Sequence, residues 1–105
     1  MKNKKMLLAK IKKLVLAVEP RAKIILYGSV ARGDDRRNSD IDLLILVEKN
    51  KISFKEEKEI TYPLYDLAIE TGKLISLLVF PKKIWETQHK ATPFYQEIKA
   101  DGVEL

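Results

Sequence analysis

The chain has no cysteine among its 105 residues, so it can form neither a disulfide framework nor a thiolate metal centre. Long apolar runs are also missing. The longest unbroken ones, Leu14–Val18 and Leu43–Val47, fall far short of a bilayer span, so no membrane association is expected. Lysines precede the first apolar stretch, as in a secretory leader, but Lys10, Lys12 and Lys13 interrupt it and no small-residue cleavage site follows. A cytoplasmic location is the expectation, in keeping with the lack of cysteine. There is no Walker A loop, because no Gly-Lys-Ser/Thr follows a glycine at the required spacing, and GxGxxG is absent too. The single histidine, His89, lies among Lys, Gln and Thr with no visible partner and is assigned no role.

What is present suits an ordinary soluble fold: 46% hydrophobic and 33% charged residues, enough for one domain with a single core. The net charge of +5 is unevenly placed. Eight Lys or Arg stand against Glu19 alone in the first 23 residues, a net +7, which leaves the remainder at −2. Such an arm can attract nucleic acid or an acidic partner. A solvated helix face is the preferred reading and nucleic acid the disfavoured one, because no aromatics are interleaved with these lysines to stack bases.

Met6, Leu7, Ile11, Leu14, Val15 and Val18 recur at three and four, which predicts an amphipathic helix over 4–18, ended by Pro20. The spacing next predicts a strand over 22–27, stopped by Gly28, and a short helical turn through Val30, Ala31 and Arg32 capped by Ser29. A polar loop, 33–39, leads to a strand over 40–47 that is apolar on both faces after Asp42, as a covered central strand would be. Ser53 and Glu56 form a capping-box pattern for a helix to about Glu70, kinked or broken at Pro63 and closed by Gly72. A strand over 74–80 precedes two short helices, 82–89 and 93–100, with Thr92 capping and Gly102 stopping the second. Trp85, Phe94 and Tyr95 are expected in the core or at an interface. The fold class is α/β (α+β): a small mixed sheet of three to four strands with helices packed on it.

The stretch from Gly28 to Val47 carries the chemistry. On a strand, residues i and i+2 share a face, so Asp40 and Asp42 are expected to project together, roughly 6–7 Å apart. At an effective dielectric near 20 two such charges repel by about 2–3 kcal/mol, a penalty that bound cations offset. Aspartate oxygens suit hard cations such as Mg²⁺, which takes one or two carboxylates together with phosphate oxygens. An Asp-x-Asp pair alone is weak evidence. Here, however, it follows a Gly-Ser turn, where Gly28 allows close backbone approach and Ser29 adds a hydroxyl at the start of a helical turn, a place suited to anions.

Gly28-Ser29, ten residues, then Asp40-x-Asp42 with following aliphatics resembles the signature of the nucleotidyltransferase superfamily that includes DNA polymerase beta and kanamycin nucleotidyltransferase. The short chain resembles its minimal branch. The match covers 24–47 closely, with Arg32-Gly33 and Ser39 inside it, and the C-terminal TPFYQEIKADGVEL is similar to the tail of short bacterial members. The resemblance implies the polymerase beta-like nucleotidyltransferase fold. It also implies that Gly28 and Ser29 bind the outer phosphates of a nucleoside triphosphate, ATP being the expected one, and that Asp40 and Asp42 ligate Mg²⁺ as the catalytic pair. Arg32 would steady the loop or reach phosphate. Arg36 and Arg37 are candidate substrate contacts, with a solvated loop preferred. The implied reaction moves a nucleotidyl group onto a protein or small molecule, with pyrophosphate leaving.

One departure stands out. The resemblance implies a third carboxylate on a neighbouring strand, yet 74–80 contains no acid and Ser76 is its only polar residue. Serine at neutral pH is neither a carboxylate base nor a strong Mg²⁺ ligand. Asp66 and Glu70 read as surface acids of a helix. Two functions therefore stay open: an enzyme, or a catalytically weak nucleotide- and metal-binding module. For the latter the resemblance supplies a precedent in antitoxins paired with a HEPN-type helical protein. A homo-oligomer is a further possibility.

Overall fold

The computed structural model describes residues 2–33 and 40–105; the loop carrying Arg36, Arg37 and Ser39 lies outside the described residues. Four strands, β1 (Lys23–Tyr27), β2 (Ile41–Val47), β3 (Ile75–Pro81) and β4 (Val103–Glu104), form one mixed sheet in the order β3-β2-β1-β4. β1 runs antiparallel to both β2 and β4, and β2 runs parallel to β3. The small mixed sheet is as expected. The edge strand β4 is an addition, since two residues behind a glycine carry no periodicity. It forms because Gly102 lets the chain pass under the last helix: a Cβ there would lie 2.5 Å from the Ile98 carbonyl oxygen and 2.8 Å from Ile25 Cγ2. Leu105 N–H then donates to the Ile24 carbonyl at 2.8 Å.

β2 is the centre of the molecule, and its alternation divides the core into two layers. Ile41, Leu43, Ile45 and Val47 face one side, where they meet Leu7, Ile11 and Val15 of α1 (Lys2–Val18) and Ile60, Leu64 and Leu67 of α3 (Phe54–Thr71). Leu44 and Leu46 face the other, against Trp85 of α4 (Lys82–Gln88) and Tyr95 and Ile98 of α5 (Pro93–Asp101). Trp85, Phe94 and Tyr95 thus pack in the second layer, as expected. His89 joins them at the end of α4, its ring 4.7 Å from that of Phe80 and 5.5 Å from that of Trp85. The side chain without a visible partner in sequence is therefore packed among aromatics. The second layer is incomplete: α4 and α5 cover one half of that face, while Ser76 and Leu78 of β3 stay exposed at the other.

The helix ends follow the sequence signals closely. Thr92 Oγ1 accepts from Tyr95 N–H at 3.1 Å, and Gly72 caps α3. α3 runs through Pro63 without the break that was one of the two expectations there. A proline forfeits one hydrogen bond of the ladder, and burial of Ile60, Leu64 and Leu67 on either side offsets it. At the other end of α3 the capping box is complete: Ser53 Oγ accepts from Glu56 N–H and Glu56 Oε1 accepts from Ser53 N–H, both at 3.1 Å. Lys49 closes the arrangement, bridging Glu56 and Glu19, the latter at 3.0 Å.

These contacts hold the Glu56 carboxyl at about 2, well below the usual glutamate range, with the Lys49 hydrogen bond as the largest cause and the Ser53 bonds next. A carboxylate depressed in the folded state adds stability above its unfolded value, and that stability is lost as pH falls through the folded one. Glu56→Gln is therefore expected to lower stability at pH 7, with the gap to wild type closing between about pH 4.5 and pH 2. Urea titrations across that range check this; a gap independent of pH would contradict it.

Candidate active site

The chain turns sharply at the end of β1. Gly28 has φ +78°, and the five residues Gly28–Arg32 form the short helix α2, with Tyr27 as the N-cap. This corrects the expected capping by Ser29. The cap position makes no side-chain hydrogen bond, and Ser29 lies inside the first turn, half-buried. The reason is conformational: with Gly28 at a positive φ, the chain turns into the helix two residues earlier than a Ser29 cap would place it. Val30 anchors α2 in the first core layer, and Arg32 is exposed at its last turn.

β1 and β2 pair so that Tyr27 stands opposite Asp42, and β2 and β3 pair so that Asp42 stands beside Ser76. Tyr27, Asp42 and Ser76 therefore form one row across the sheet, on the face that α4 and α5 leave partly open. The turn and the carboxylate are in direct contact. A Cβ on Gly28 would lie 2.5 Å from Asp42 Oδ2, so any other residue there would intrude on the carboxylate. Asp40 immediately precedes β2 and is exposed, whereas Asp42 is half-buried. Burial, and after it the charge of Asp40, pushes the Asp42 carboxyl above its usual range. Burial, with the charge of Asp42 second, pushes the Tyr27 phenol up as well. Asp40 is thus close enough for its charge to act on Asp42.

The donor set suits a hard divalent cation: two carboxylates at a strand entrance, and above one of them a space that only a glycine leaves open. Among the described residues no cluster of three or more Asp, Glu, His or Cys forms, so no third ligand of these types joins the pair. Ser76, exposed beside Asp42, occupies the neighbouring-strand position where a third acid was sought. Asp66 and Glu70 are exposed on α3, on the opposite face of the sheet, and are not brought to the site. Tyr27 is the neighbour the sequence did not single out; only the β1–β2 register reveals it. Its ring also meets Phe94 edge-on at 5.4 Å, joining the site to α5. A cavity of about 420 Å³ lies at the other end of β2, lined by Glu48, Lys49, Asn50, Lys82, Lys83 and Glu86. Two of its lysines are already engaged by glutamates, Lys49 with Glu19 and Lys82 with Glu48 at 3.4 Å, and it is remote from Asp42.

With this geometry in place, comparison with known proteins is consistent with it. The nucleotidyltransferase domain family matches residues 7–100. A Methanocaldococcus jannaschii protein named "Putative protein adenylyltransferase" is 36% identical over 83 residues, covering 79% of this chain and 77% of the relative. The fold is similar to a crystal structure of a toxin-antitoxin with AMP-PNP, with a TM-score of 0.64 and 25% identity over 91% of this chain and 69% of the other. A mutant MntA-HpeT toxin-antitoxin structure shares the fold with a TM-score of 0.63 and 23% identity, at the same coverage. Among the described residues no helix is long and apolar enough to cross a membrane. The family match over residues 7–100, with a Gly-Ser turn seated on an Asp-x-Asp strand inside it, makes this chain a member of the nucleotidyltransferase domain family.

Proposed function

We propose that this protein is a cytoplasmic nucleotidyltransferase that takes a nucleoside triphosphate, ATP, with Mg²⁺ and moves its nucleotidyl group onto a protein acceptor. The observation that carries this reading is the contact between Gly28 and Asp42, which unites the phosphate-binding turn and the metal-binding strand across the ten residues between them. The AMP-PNP of the toxin-antitoxin structure supports ATP, and the name of the archaeal relative supports a protein acceptor.

In this reading Gly28 and Ser29 receive the outer phosphates and Arg32 supports them from the end of α2. Asp40 and Asp42 hold the cation, which supplies charge neutralisation for the triphosphate. The acceptor oxygen bonds to the α-phosphorus, the bond to the bridging oxygen breaks and pyrophosphate leaves, while the acceptor's proton passes to solvent water. Burial of Asp42 lowers the local dielectric and so strengthens its hold on a cation. The row Tyr27–Asp42–Ser76 favours a second reading as well. A hydroxyl beside Asp42 offers no base at neutral pH, which suits a protein that binds nucleotide and metal as the antitoxin-like partner of a HEPN-type protein and transfers slowly.

Ser76→Asp separates these readings, while Asp42→Asn and Gly28→Ala test the site they share. Asp42→Asn is expected to abolish labelling of an acceptor by ATP labelled at the α-phosphate, with Mg²⁺ and lysate present, while the protein stays folded; labelling that persists would remove Asp42 from the site. Ser76→Asp is expected to raise the transfer rate by at least about tenfold if a missing carboxylate limits catalysis. An unchanged rate, with a Mg-ATP-induced rise in Tm retained, would favour the binding module. Gly28→Ala is expected to destabilise by about 1–3 kcal/mol in urea and to reduce that Tm rise. Gly33→Ala serves as the control, since Gly33 also has a positive φ (76°) but nothing among the described residues within 4 Å of its Cβ position. Equal effects of the two on nucleotide binding would refute the role assigned to the Gly28–Asp42 contact.

A further inference from the structure

The helical layer on the far side of the sheet from Asp42 is strongly polarised. α1 contains six lysines and no acid, whereas α3 contains five acids and two lysines. The two helices pack side by side on the same face of the sheet, so one continuous outer surface has a basic half and an acidic half.

The acidic half is also apolar. Phe54, Tyr62, Tyr65 and Ile69 recur at helical spacing along the outside of α3 and are 72%, 56%, 42% and 81% exposed. Lys58 lies in the same stripe, its ammonium 4.1 Å from the Phe54 ring centre and 5.9 Å from that of Tyr62. Exposed Glu59, Asp66 and Glu70 run alongside. On α1 the outward residues include Lys5, Met6, Ala9, Lys10, Lys12 and Lys13, with Met6 67% exposed. Single exposed apolar residues are ordinary, but a stripe of this length on one helix marks an interaction surface.

Charge identifies the occupant. The stripe is edged by carboxylates, so the surface that covers it should be edged by lysines, with small or flexible apolar residues between them. α1 of this same chain is such a surface. A two-fold axis lying in the interface and running lengthwise between α1 and α3 brings the two outer faces together, lays α1 of one copy on α3 of the other and repeats the contact reciprocally, the arrangement an isologous dimer requires. We propose that the outer face of α1 and α3 is a self-association surface, and that its occupant is a second copy of this chain with α1 against α3. The dimer buries the aromatic stripe, pairs Lys10 and Lys13 with Glu59 and Asp66, and leaves the Gly28–Asp42 site facing outward on the other side of each sheet. The inference does not depend on the catalytic reading.

Sedimentation velocity on the full chain tests it. At about 50 mM salt a concentration-dependent monomer–dimer equilibrium is expected, loosening at about 500 mM as the charge pairs are screened. Ile69→Glu is expected to weaken the dimer at least about tenfold with the circular dichroism spectrum unchanged. The decisive arm uses reciprocal charge swaps. A Lys10→Glu, Lys13→Glu variant and a Glu59→Lys, Asp66→Lys variant should each be monomeric, because each would set like charges against each other in both halves of its own dimer. Mixed, they should form a heterodimer in which both contacts are again complementary. A wild-type chain that stays monomeric up to millimolar concentration overturns the proposal. So does a dimer indifferent to Ile69→Glu, or one whose charge-swapped variants fail to recover on mixing; those outcomes point to a different protein as the occupant.

Discussion

The site depends on how closely the backbone at Gly28 approaches the carboxylate of Asp42. Where a Cβ would have been, there is a carboxylate oxygen 2.5 Å away, and the backbone at that point has φ +78°. The conformation calls for glycine, and any side chain there would make the Asp42 carboxylate shift. The half-burial that raises Asp42 above the usual carboxylate range arises in the same crowded corner.

That approach is possible because β2 is held from both sides. Its two faces are buried in two separate layers, and the pairing with β1 and β3 fixes its position along the sheet. A slip of one residue would exchange the layers and turn Asp42 into the α1–α3 core, so the hydrophobic pattern of the strand guards the location of a charge. The uneven cover of the sheet complements this. α1 and α3 close one face, while α4 and α5 leave part of the other open beside Ser76, where a ligand can reach the row.

Much of the architecture was legible in local sequence. The capping box at Ser53, the Thr92 cap, the glycine at the end of α3 and the doubly apolar β2 all act through neighbours a few residues away, and all appear where expected. The expectations that failed involved competition between local and distant forces. Ser29 gave up the cap because Gly28 could bend further. Pro63 did not break α3 because buried residues on both sides hold the helix to the sheet. β4 exists because Gly102 passes against Ile25, a residue far away in sequence.

The sequence by itself determined the residue chemistry: a Gly-Ser turn, two carboxylates in strand spacing, a serine as the sole polar side chain of the next strand, and opposite charges concentrated on two helices. Local periodicity and steric rules suffice for that, because each is written within a few residues. Only the tertiary structure decided that Tyr27, Asp42 and Ser76 share one row, that Asp66 and Glu70 face away from it, and that the charged helices lie side by side. Those relations rest on strand register and layer packing. Both are set by contacts between segments far apart along the chain, for which no local pattern exists.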